Sequence, residues 1–106
     1  MIKFLASERN TRIHATCAAM VVGFGFWLKV KPGEWAILFL TITLVFTAEA
    51  FNTSIEKLVD MVSPERKPQA GLVKDIAAGA VLISALGAVI VGLMIFGPKI
   101  IDWFNQ

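Results

Sequence analysis

Within AEAFNTSIEKLVD, residues 48–60, the polar side chains Glu49, Asn52, Glu56 and Asp60 are spaced by three, four and four positions. On an α-helix that spacing sets them along one face. Carboxylates and an amide on one face can accept a proton from a hydroxyl, hold a hard cation and orient a reacting group. The preceding run, WAILFLTITLVFTA (35–48), carries no charge at all. Counted from Glu34 at about 1.5 Å per residue, Glu49 lies about 22 Å and Glu56 about 33 Å along the helix. A bilayer's hydrocarbon core is about 30 Å thick. Glu49 therefore falls inside the far edge of the membrane and Glu56 at its water boundary. An ionisable group at the depth of Glu49 is costly, and it marks a site of function by default.

Other polar groups converge on the same boundary. Glu8 stands just before the first apolar run, in SERNTRIH, and Lys74-Asp75 just before the third. Two carboxylates from different segments could share a Mg²⁺, and a nearby lysine could hold phosphate oxygens. A metal, a cation, a base and an amide together suit phosphoryl transfer from a soluble donor to a lipid alcohol. There is no Walker A pattern, no protein-kinase glycine loop and no Ser-His-Asp set. His14 could touch nucleotide or metal, but reads first as a helix-end residue with a structural role, and the glycines of VGFGF (22–26) read as packing positions.

The elements that must carry these residues are long and apolar. The chain has 106 residues, of which 57% are hydrophobic, too apolar for an ordinary soluble domain. A net charge of +2 gives no reason to expect a nucleic-acid partner. The single cysteine, Cys17, excludes an internal disulfide and a cysteine-based zinc site. No cleavable signal peptide is evident. Three spans are expected, at about 13–30, 34–62 and 76–97, in one domain over 1–106. The third is expected to close at Gly97-Pro98, and SPERKPQAG (63–71) to form the long connection. Lysine and arginine counts of seven against three put the N-terminus and the 63–71 loop in the cytoplasm and the C-terminus outside. Trp27, Trp35 and Trp103 all fall at the outer interface in that arrangement. Gly79, Ala80, Ser84, Gly87, Ala88 and Gly92 permit close helix approach, either within the chain or between copies.

The segment Glu49-Ala-Phe-Asn52-Thr-Ser-Ile-Glu56-Lys-Leu-Val-Asp60 closely resembles the signature of the prokaryotic diacylglycerol kinase family, which includes the undecaprenol kinases of Gram-positive bacteria. The resemblance continues through Lys74-Asp75-Ile-Ala-Ala-Gly-Ala-Val-Leu-Ile, Glu8-Arg9-Asn10 and Arg12-Ile13-His14, so it covers nearly the whole chain. It implies an all-α membrane protein with three transmembrane helices, a homotrimeric bundle with shared active sites, and ATP- and Mg²⁺-dependent phosphorylation of a lipid. Carried over position by position, Glu49 would be the proton acceptor, with Asn52 and Lys74 positioning the reacting groups. Glu8 and Glu56 would bind the metal. Asp60, Glu65, Arg66, Lys67, Lys74 and Asp75 would line the nucleotide site. The family's N-terminal surface helix is expected to be shortened or missing, since Met1 stands only seven residues before Glu8. The Glu-Arg-Asn…Ile-His pattern resembles the Gram-positive branch, which points to undecaprenol ahead of diacylglycerol. The rival expectation is an oligomeric membrane scaffold or transporter subunit, using Glu49 and Asn52 as polar contacts between helices.

Overall fold

The computed structural model describes residues 9–65 and 67–106, with side chains from Arg12 onward. Three α-helices account for nearly all of this: α1, Arg9–Trp27; α2, Pro32–Val62; α3, Pro68–Phe104. They form an elongated body of 60 × 25 × 21 Å. By length and composition α2 and α3 can each cross a membrane. Helix α1 has 19 residues and opens with the polar run RNTRIH, which dilutes its apolar character. Glu8, Arg66 and any surface helix ahead of α1 lie outside the described residues.

Helices α2 and α3 form an antiparallel pair that makes up most of the tertiary structure. Ion pairs fix its register near both ends: Lys74 Nζ to Asp60 Oδ1 at 2.5 Å and Lys99 Nζ to Glu34 Oε1 at 2.8 Å. Between them Leu38 packs with Ile95 and Val30, flanked by Val21, Trp35, Val91 and Phe96. Helix α1 packs more lightly, and chiefly on α2. In lipid, apolar burial between helices yields little, so close fit and polar contacts decide which helices hold together. The closest fit lies at Gly25, where an added Cβ would fall 2.5 Å from the Trp35 ring. Among the VGFGF glycines, Gly25 is thus a packing position, whereas Gly23 faces open space.

The three tryptophans gather at one end of the molecule. Trp27 meets Trp103 edge-on with centroids 5.2 Å apart, and Trp35 meets Phe26 at 5.0 Å. The turn between α1 and α2 closes with the Val30 amide donating to the Gly25 carbonyl at 3.0 Å. Lys29 takes φ 57°, the left-handed conformation that this helix ending requires and that glycine usually supplies.

Three boundaries differ from the expectation. Helix α1 stops at Trp27, where the 13–30 span would have continued. The connection expected over 63–71 is cut to five residues, because Pro68 starts α3; proline suits a first helical position, where its missing N–H costs no bond. Helix α3 does not close at Gly97-Pro98 but runs on to Phe104. Proline disfavours a helical residue before it partly through that residue's Cβ, and Gly97 has none. Beyond the proline, the Lys99–Glu34 pair and the Trp103–Trp27 contact hold the last turns in place.

Candidate active site

The inward face of α2 changes chemistry along its length. It starts with Leu38 and Val45, both buried, and continues on the same stripe through Glu49, Asn52 and Glu56. Near its C-terminal end the helix therefore turns carboxylates and an amide toward its neighbours. Glu49 is 4% exposed, the most deeply buried charged residue described. Asn52 and Glu56 are half-buried, with Asn52 Nδ2 donating to Glu56 Oε1 at 3.4 Å. Asp60, one turn further, is exposed and receives Lys74 from α3.

His14 completes the cluster. It lies on the inward stripe of α1 with Ala18, Val21 and Gly25, at helical spacing, and its Nδ1 abuts Glu49 Oε1. The two atoms touch without the alignment of a hydrogen bond. Among the described residues, the buried side-chain polar atoms without a hydrogen-bond partner are His14 Nδ1, both Glu49 oxygens and Asn52 Oδ1. Buried polar groups are nearly always paired, and all four exceptions gather in this one cluster, which makes it the candidate site. The register of α2 against α3 brings the buried Ser84 level with Glu49, but its hydroxyl donates to the Val81 carbonyl at 2.7 Å and is occupied.

The cluster lies between apolar surroundings and a polar end, and His14 is its member on a cavity wall. Beside it an apolar cavity of about 350 Å³ lies among the three helices, lined by His14, Cys17, Ile42, Val45, Ala85 and Ala88 among others. A shallower groove of about 690 Å³ runs along α1 and α2, past Ala15, Phe46, Ala50 and Ser54. On the aqueous side lie Asp60, Lys74 and Asp75, followed by the short connection with Glu65 and Lys67, both exposed. Lys74 is 37% and Asp60 63% exposed. Their pair is a solvent-screened bridge worth about 1 kcal/mol or less, so either partner can exchange it for a better one.

The expected residues thus divide into two layers. Glu49, Asn52 and Glu56 form a buried inner layer; Asp60, Lys74 and Asp75, with the loop residues Glu65 and Lys67, form an exposed outer one. No three acidic, histidine or cysteine side chains cluster as a ready metal cage among the described residues. Mg²⁺ commonly takes only one or two protein carboxylates and completes its shell with water and phosphate. The half-buried Glu56, with one of its oxygens meeting only a long contact to Asn52, fits such a role. The sequence reading did not pair His14 with Glu49. The signal available for it was the 14–18–21–25 spacing on α1, which places the histidine on the packing face.

Comparison with known proteins agrees with this arrangement. The family model described as prokaryotic diacylglycerol kinase matches residues 1–96. An undecaprenol kinase of Bacillus subtilis is 43% identical over 94 residues, covering 89% of this chain and 76% of its own. A diacylglycerol kinase of Synechocystis is 38% identical over 98 residues, 92% of this chain and 56% of that longer protein. A diacylglycerol kinase of Escherichia coli K12 is 31% identical over 84 residues, 79% and 69% of the respective chains. With every helix carrying part of the matched region, the chain belongs to the prokaryotic diacylglycerol kinase family of membrane lipid kinases.

Proposed function

We propose that this protein transfers the γ-phosphoryl group of ATP to the hydroxyl of undecaprenol, giving undecaprenyl phosphate, with diacylglycerol as the second candidate acceptor. The observation that carries the reading is the unpartnered buried carboxylate of Glu49, whose neighbour His14 forms part of the wall of an apolar cavity, with the polar outer layer roughly two to three turns along α2. A lipid alcohol with its chain among the helices presents its hydroxyl to Glu49, which takes the proton as the oxygen attacks phosphorus. Asn52 orients the reacting groups. Lys74 exchanges its bridge to Asp60 for phosphate oxygens, holding the triphosphate in line. Glu65, Arg66, Lys67 and Asp75 flank the nucleotide. Mg²⁺, held by Glu56 and Glu8 when bound, would neutralise charge developing on the phosphates. The similarity to the B. subtilis undecaprenol kinase and the Ile-His pair at 13–14 favour the polyprenol over diacylglycerol.

The same reading makes the active unit a homotrimer with three spans per copy, its N-terminus and the 63–67 connection in the cytoplasm and its C-terminus outside. In a single copy the small-residue positions Gly79 and Gly87 of α3 face open space, where a neighbouring helix can approach closely. The decisive experiment offers purified protein γ-labelled ATP and Mg²⁺ with undecaprenol and diacylglycerol side by side. Labelled undecaprenyl phosphate as the main product is expected. Labelled phosphatidic acid in its place would reassign the acceptor, and no labelled lipid from either would remove the kinase reading.

A further inference from the structure

We propose that His14 is the positioning residue of the phosphoryl-transfer site: its Nδ1–H donates to Glu49 Oε1 and so aims Oε2, the free oxygen, at the lipid hydroxyl. The inference rests on the kinase reading above and adds a role for the only histidine in the chain. A carboxylate acts as a base at one oxygen, and its efficiency depends on where that oxygen points. Glu49 has no aligned partner on either oxygen, so nothing on its own helix sets the carboxyl plane. The described basic side chain that meets it is His14, from the helix that packs most lightly. Contact is already made and only the angle is wrong. Catalytic hydrogen bonds in substrate-free sites are often misaligned in this way and tighten when substrate binds.

The proposed hydrogen bond requires the imidazole proton on Nδ1. The cavity beside the ring receives Ala85, Ala88, Val89 and Gly92 from α3, none of them charged. The titratable groups facing the ring among the described residues are Glu49 on α2 and Cys17 one turn along α1. Glu49 can use only a donor at Nδ1, because two acceptors would repel. Fixing that proton leaves Nε2 as the acceptor on the partly exposed side of the ring, whose side chain is 26% exposed. A scaffolding histidine would gain nothing from meeting a buried carboxylate off-angle. A positioning histidine requires that neighbour.

The test uses the full-length protein in lipid nanodiscs with undecaprenol, ATP and Mg²⁺. Three variants are compared with wild type: His14→Leu, which keeps bulk without a donor; His14→Asn, whose Nδ2–H can occupy the place of Nδ1–H; and Glu49→Gln. The expected result is a kcat at least about tenfold lower in His14→Leu with both KM values within about twofold, and recovery to within about threefold of wild type in His14→Asn. Thermal unfolding of each variant is recorded alongside. A wild-type kcat in His14→Leu would overturn the proposal. So would an Asn variant as slow as the Leu variant at wild-type stability, or a defect expressed in KM alone. Activity in Glu49→Gln equal to wild type would instead remove the base, and with it any group for His14 to aim. A wild-type protein that labels no lipid alcohol would overturn the kinase reading itself.

Discussion

In the proposed mechanism a single buried carboxylate, Glu49, takes the proton, and its environment makes the expectation for substitution sharp. Glu49→Gln keeps shape and burial but cannot accept a proton. Lipid phosphorylation should fall by about 10²- to 10⁴-fold, the range for loss of a general base, while nucleotide binding and oligomer size stay as they are; label transfer and light scattering report the two halves. Glu56→Ala should instead raise the Mg²⁺ concentration needed for half-maximal rate or remove turnover altogether, and an unchanged metal titration would exclude Glu56 as a ligand. Lys74→Met should act mainly on kcat/KM for ATP. Its bridge to Asp60 is exposed and contributes little to folding, so the variant's melting temperature should hardly move.

Helix geometry explains how much of this could be read in advance. The 49–52–56–60 spacing needs only 3.6 residues per turn to become a face, and α2 presents that face with Glu49 buried. The outer layer was equally visible, because Lys74 and Asp75 mark where an apolar run begins. What spacing could not supply was the partner of Glu49: a contact between helices depends on the rotation of α1, which a lightly packed helix with a polar start announces only faintly. The end of α3 was misjudged because Gly-Pro normally punctuates a chain, and the contacts that carry α3 past it, to Glu34 and Trp27, are distant in sequence. Two substitutions probe the α1–α2 junction. Gly25→Ala drives a methyl group into the Trp35 ring and should cost about 1–3 kcal/mol. Lys29→Gly relieves a left-handed backbone and should gain about 1 kcal/mol. Thermal unfolding in one detergent checks both signs.

At the scale of the whole molecule, a single copy leaves large apolar side chains such as Phe39, Leu82, Ile83 and Leu93 exposed along its length. Lipid can solvate these, and water the outer layer around Lys74. The proposed trimer predicts that scattering in mild detergent gives three copies of an 11.6 kDa chain, and that dilution which dissociates them abolishes turnover. Within each copy two ion pairs clamp α2 and α3 at either end, whereas the charged contact that α1 makes is His14 against Glu49, midway along α2. The hairpin is then the firmer part of each copy and α1 the looser one. If a greasy alcohol enters by displacing α1, a covalent staple between α1 and α2 should stall the enzyme with its catalytic groups all intact, whereas one between α2 and α3 should leave it running.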